Sequence, residues 1–157
     1  MMRILKWIVI LVVFATVGAA VFFRMSGDDP KVWHVDPATA ERTGKPNDFF
    51  VAPEGATTAK PDRIATMRNV KPEELLFQFD AIAMPAGAKV IAGSVKDLWI
   101  TYVQRTMILG FPDYITVKAV PVDDGAALII WSRSRYGHSD FGVNKSRVEG
   151  WLSQLGN

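Results

Sequence analysis

The residues with most chemical potential in this 157-residue chain stand together near its end, in Trp131–Arg147, which reads WSRSRYGHSDFGVNKSR. Arg133 and Arg135 are two apart, so on an extended strand both project from one face while Ser132 and Ser134 project from the other. Gly137, Ser139, Asp140, Gly142 and Asn144 then form a run of turn formers. That run leads into a helix whose first turn carries Lys145, Ser146 and Arg147. Basic residues at a helix start oppose the positive end of its dipole, so they call for an acidic neighbour or an anion.

Three chemistries suit these residue types. Arg133, Arg135 and Arg147, joined by Arg105, can surround the Gly137–Asn144 loop and grip a carboxylate or phosphate, because guanidinium forks and helix N-termini both favour oxyanions. On that reading Asp140, Asn144 and Asp113 also line the site, and the ligand is an anionic small molecule, a lipid headgroup or an acidic protein partner. The same residues can instead satisfy one another: Asp140 and Asp113 pair with the arginines while Asn144 and Ser139 cap, giving an internal network. Hydrolysis is the third chemistry, with His138 as base, Asp140 to orient it, and Ser139, Ser132 or Ser134 as nucleophile. No Gly-x-Ser-x-Gly elbow supports it. His34 and His138 are the only histidines and cysteine is absent, so no metal site is expected. No glycine loop of the nucleotide-binding type occurs, and no cofactor is implied.

The run Ser132–Arg147, followed by Val148 and Glu149, resembles the C-terminal signature of the domain of unknown function 1499 family. Tyr102-Val103-Gln104-Arg105, Gly110-Phe111-Pro112-Asp113-Tyr114 and Pro46-Asn47-Asp48 are similar to further pieces of that family. The resemblance extends from about Trp33 to the end of the chain. Where many relatives carry two acids after the Gly-Phe pair, this chain has Pro112-Asp113, so no role of the first acid transfers. The family brings no established reaction, and the membrane segment described next marks an anchored subtype.

From Ile4 to Phe23 the chain is almost wholly apolar, interrupted by Lys6 alone. About twenty residues at 1.5 Å each span a hydrocarbon layer of roughly 30 Å. Arg3 and Lys6 precede the run while Asp28 and Asp29 follow Arg24, so the positive-inside rule sets the N-terminus in the cytoplasm. The expectation is a bacterial inner-membrane protein with a periplasmic domain. Val17-Gly18-Ala19 also satisfies a signal-cleavage rule, but Ala20-Val21-Phe22-Phe23 carries the apolar run past it. The formal charge of +2 and isoelectric point near 9.0 come from this segment, since removing Arg3, Lys6 and Arg24 leaves about −1. Nucleic-acid binding is therefore not expected.

The elements that must position the arginines follow from patterning. Residues 1–24 read as the anchor, 25–45 as a linker and 46–157 as an α+β domain. Five prolines between Pro30 and Pro61 forbid a long helix, so Trp33, Phe49, Phe50 and Val51 are expected to pin an extended covering arm. Pro72-Glu73-Glu74 opens a helix carrying Leu75, Leu76, Phe79 and Ile82, closed by Pro85 and Gly87. Four strands follow: Lys89–Val95, Leu98–Met107, one centred on Ile115, Val117 and Ala119, and Ala126–Arg133, the last two joined at Asp123-Asp124-Gly125. A closing helix is expected with Asn144 as cap, a Val143–Val148 staple, and Val148, Trp151, Leu152 and Leu155 on one stripe. The whole predicts a mostly antiparallel four-stranded sheet with helices on one face. Tyr136, Phe141 and Trp151 read either as core or as anchors for a scaffold that docks a larger membrane complex.

Overall fold

The computed structural model describes residues 2–155. Met2–Met25 forms one helix, α1, with no buried residue. Pro30–Trp33 makes a single helical turn, α2, whose start is capped by the Asp29 side chain accepting from the Lys31 amide. The domain itself is a sheet of β1 (Asp48–Ala52), β2 (Arg63–Ile64), β3 (Lys89–Ser94), β4 (Trp99–Arg105), β5 (Pro112–Val122) and β6 (Gly125–Ser134). Their order is β2-β1-β6-β5-β4-β3, antiparallel throughout except for the β1–β2 pair.

The class is α+β as expected, but the sheet has six strands, not four. The two extra strands come from the proline-rich stretch. Between Pro46 and Pro53 the chain pairs with β6, from Asp48 opposite Arg133 to Val51 opposite Ile130. Phe49 and Val51 point to one buried layer, Phe50 and Ala52 to another. A strand buried on both faces shows no polar alternation, so its period of two is invisible in the sequence.

One face of the sheet carries α3 (Pro72–Ala83) and α4 (Val143–Gln154). Leu75, Leu76 and Phe79 of α3, with Val148 and Trp151 of α4, form the main core against Ile100, Tyr102, Ile115, Val117, Leu128 and Ile130. Trp151 thus belongs to the core. The start of α4 differs from expectation. Asn144 lies inside the helix and is buried, and Asp140 does the capping, its carboxylate accepting from the Gly142 and Asn144 amides at 3.0 and 2.7 Å. Val143 is the first helical residue and is exposed, so no staple to Val148 forms.

The opposite face is covered by coil. Val35, Ala38, Ala40 and Ala59 lie on Phe50, Ala52, Ile129 and Trp131. The stretch read as a linker therefore forms half of the sheet's cover, because a two-sided apolar sheet cannot leave one face in water.

Backbone geometry constrains the β3–β4 edge. Gly93, at φ +78°, sits beside a register shift between Val90 and Ala92, and a Cβ there would collide with the Trp99 carbonyl. Gly93→Ala is expected to destabilise the domain by about 2 kcal/mol or more, measured by chemical denaturation.

Candidate functional site

The period of two along β6 divides the signature residues between the two faces. Register pairs Asp113 with Ser134 and Tyr114 with Arg133 across β5 and β6. Ser132, Ser134 and Asp113 consequently meet the helices, while Arg133, Arg135 and Tyr114 meet the coil.

On the helix face Arg147 reaches down from the first turns of α4 onto the sheet. Its Nη2 donates to Asp113 Oδ2 at 2.7 Å, its Nε to Gln104 Oε1 at 2.6 Å, and its Nη1 to Asn144 Oδ1 at 2.6 Å and Ser132 Oγ at 3.3 Å. The second Asp113 oxygen accepts from the Ser134 hydroxyl at 2.6 Å. The Asn144 amide donates to Ser134 Oγ and to the Asn47 carbonyl, and Asn47 in turn donates to the Gly137 carbonyl. Arg147 and Asp113 are mostly out of solvent. Buried charge is tolerated where partners meet it closely, and here Arg147 makes four hydrogen bonds while both Asp113 oxygens accept. The charge placed against the α4 dipole is thus met by Asp113 and not left for an anion.

On the coil face Arg133 is only 7% exposed. Its Nη2 donates to the Trp33 carbonyl at 2.7 Å, and its Nη1 to Thr116 Oγ1 at 3.1 Å and, at 3.4 Å, to the Trp131 carbonyl. Its guanidinium carbon stands 4.1 Å from the Trp131 ring centroid and 5.6 Å from that of Trp33. None of the ion pairs among the described residues includes it. The nearby Asp48 carboxylate is held by Arg42 at 2.6 Å and by the Trp131 indole N–H at 2.8 Å. Burial lowers the Arg133 pKa to about 10, against the pull of Asp48 and Tyr114. Because an arginine keeps its proton in a protein, that shift measures unrelieved desolvation.

The remaining cations of this face clamp the segment that follows α1. Arg105 holds Asp28 bidentately at 2.7 and 2.9 Å and donates to the Phe23 carbonyl at 2.6 Å. Tyr114 donates to the same Asp28 carboxylate at 2.8 Å and lies stacked on Trp33, centroids 3.8 Å apart. Burial, then the Asp28 contact, pushes the Tyr114 pKa up to about 12. Arg135 donates to the Gly27 carbonyl, and Lys118 pairs with Asp36 at 2.6 Å. His34 stacks on Trp99 and bonds Thr101 Oγ1 through Nδ1 at 2.8 Å; the Thr101 hydroxyl continues to that of Thr116, and so to Arg133.

The sequence expectation that Arg133, Arg135 and Arg147 converge around one loop is therefore corrected. The sheet stands between Arg147 and the other two, and Arg105 belongs with the latter. The hydrolytic arrangement is not assembled either. Asp140 accepts backbone amides, Ser139 Oγ accepts from the Phe141 amide, and Ser132 and Ser134 are committed to the Arg147 network. His138 is exposed, with no side-chain hydrogen bond among the described residues. Among those residues no three His, Asp or Glu side chains gather as a metal site would require.

Between the coil and the β1–β6 end of the sheet lies an open cleft of about 400 Å³, lined by Trp33, Trp131, Arg133, Arg135, Lys45 and Asp48. Arg133 and Arg135 are the two members of the expected set that reach it. Trp33, Lys45 and Asp48 are additions that spacing could not supply, since each comes from 80 or more residues away along the chain. What the fold and site define is a small α+β domain carried behind one long apolar helix, with a buried ion-pair network on one sheet face and an arginine-based cleft on the other. The chain belongs to the family described as protein of unknown function (DUF1499), whose family model matches residues 30–155. That span begins after α1 and includes most of the coil that covers the sheet. Comparison with the curated proteins finds no match.

Two measurements follow from this geometry. Arg147→Met strands Asp113 as an unpaired buried carboxylate and is expected to cost about 3–5 kcal/mol, with much of the loss recovered in the Arg147→Met/Asp113→Leu double variant; a denaturation cycle reads both. Burial lowers the His34 pKa from 6.5 despite the Asp97 charge, so the unfolded imidazole takes its proton first as pH falls. The His34 contribution is complete above pH 6.5 and is lost as pH falls toward the lowered folded value. Melting temperature should drop as pH falls below about 6.5, with a shallower slope in His34→Phe, which keeps the stack on Trp99.

Proposed function

We propose that this protein is a membrane-anchored domain, displayed on the periplasmic side of a bacterial inner membrane, that binds a carboxylate or phosphate group in the Arg133 cleft. The anchor reading is supported by the length of α1 and by a mean hydropathy of 2.5 over an 18-residue window of it. It is supported further by the fact that α1 runs unbroken past Val17-Gly18-Ala19 to Met25. The cytoplasmic N-terminus rests on Arg3 and Lys6 standing ahead of the apolar run.

The observation that carries the binding reading is a buried guanidinium that no carboxylate neutralises, facing an open cleft with Arg135 and Lys45 beside it. An uncompensated buried cation raises the energy of the empty site, and an anion arriving there recovers that energy. The flanking faces of Trp33 and Trp131 hold the planar fork in one orientation.

A scaffold role in a larger membrane complex is the second reading. It is favoured by the hold between α1 and the domain through Arg105, Asp28 and Phe23, which would transmit the posture of the helix to the domain.

The test is thermal stabilisation of the full chain in mild detergent by inorganic phosphate and by succinate. At a hundredfold excess over Kd a bound anion adds about 2.7 kcal/mol. Arg133→Gln should abolish the shift, while Lys96→Ala, on the 3-10 turn before β4, should keep it. Absence of a shift with either anion, or a shift unchanged in Arg133→Gln, would reject the reading.

A further inference from the structure

Among the described residues outside α1, the three most exposed large apolar side chains are Phe141 at 97%, Met107 at 91% and Ile108 at 78%. They are far apart in sequence, yet they occupy loops at one end of the sheet. Met107 and Ile108 form the tip of the β4–β5 connection, and Phe141 lies in the β6–α4 connection. Register sets both loops at the same end, since Arg105 pairs with Pro112 and Asp113 with Ser134.

This is also the end at which α1 meets the domain. Arg24, the residue immediately after the apolar run, donates from Nη1 to the Ile108 carbonyl at 3.0 Å and from Nη2 to the Met107 carbonyl at 2.7 Å. The loop is thus held by its backbone while its side chains point away into solvent. It is closed by its own bonds, Thr106 amide to Phe111 carbonyl and Gly110 amide to Thr106 carbonyl, and does not need Met107 or Ile108 as core. Phe23, Phe111 and Tyr136 form an aromatic cluster at the same level, with Arg135 over the Tyr136 ring and Arg24 against Gly110. Apolar tips beside aromatic rings and cations, at the depth where an apolar helix ends, match the layered chemistry of a bilayer surface containing anionic lipid.

We infer that this end of the domain is a lipid-contact surface, with Met107, Ile108 and Phe141 entering the headgroup region of the membrane that α1 crosses. The inference rests on the anchor reading above and is independent of the anion cleft. It commits the domain to one posture, sheet end down, with α1 and the two loops as separate points of attachment.

The chain has no cysteine, so single reporters can be placed without background. Val12→Cys in mid-α1, Ile108→Cys, Phe141→Cys and Asp124→Cys at the opposite end of the sheet would each carry a nitrobenzofurazan dye on the full chain. Each would be reconstituted in phosphatidylcholine–phosphatidylglycerol vesicles with and without brominated acyl chains. Blue-shifted emission that brominated lipid quenches is expected at Val12, Ile108 and Phe141, with neither effect at Asp124. Quenching at Val12 without quenching at Ile108 and Phe141 overturns this inference and leaves the anchor standing. No quenching at Val12 overturns both. Dyes at Ile108 and Phe141 that are shielded from aqueous iodide but insensitive to brominated lipid would assign the surface to protein association and also overturn it.

Discussion

The Arg147–Asp113 pair fixes one end of α4 to the start of β5, where the apolar core gives way to polar side chains. Asp113 lies at the start of β5 and Arg147 in α4; Gln104, Ser132, Ser134 and Asn144 bond the pair directly, and Asn47 holds Asn144 from the approach to β1. An ion pair so enclosed contributes little net stability compared with an apolar replacement, but it tolerates few alternative arrangements. Its geometry sets how α4 seats on the sheet, and with it the path of the loop from Arg135 to Gly142. That loop then delivers Arg135 and Tyr136 to the coil face and leaves Phe141 in solvent.

The coil face has a different logic. Four cations, Arg105, Lys118 and Arg133 from three neighbouring strands and Arg135 just past the end of β6, each contact the segment between Phe23 and Asp36. Arg105 and Lys118 find carboxylates there, whereas Arg133 and Arg135 find carbonyl oxygens and aromatic faces. A carbonyl satisfies a donor but does not cancel a charge, and this difference is what distinguishes the cleft from the clamp beside it. The same contacts tie the domain closely to the end of α1, because Arg105 bridges Asp28 to the Phe23 carbonyl. Helix α1, coil and sheet thereby become mechanically continuous.

Much of the fold was legible in the residues. Pro72-Glu73-Glu74 and the Leu75, Leu76, Phe79 spacing mark α3 because helix initiation and amphipathic burial are local properties. Asp123-Asp124-Gly125 marks the β5–β6 hairpin for the same reason. The separation of Arg133 and Arg135 from Ser132 and Ser134 follows from strand geometry alone. β1 escaped because its two-sided burial erases the alternation that reveals a strand, and the apparent linker escaped because its anchoring partners, Arg105, Tyr114 and Lys118, lie 77 or more residues downstream.

The sequence by itself therefore determined the apolar helix, the family signature, the α+β class and the residue types available for recognition. Each depends on neighbours within a few positions, where covalent geometry dictates what faces what. Only the tertiary structure decided which arginine is neutralised and which is not, since an ion pair is settled by distance in space and by exclusion of water. Arg147 and Arg133 look alike along the chain, and they differ because the sheet folds one against Asp113 and the other between two tryptophans.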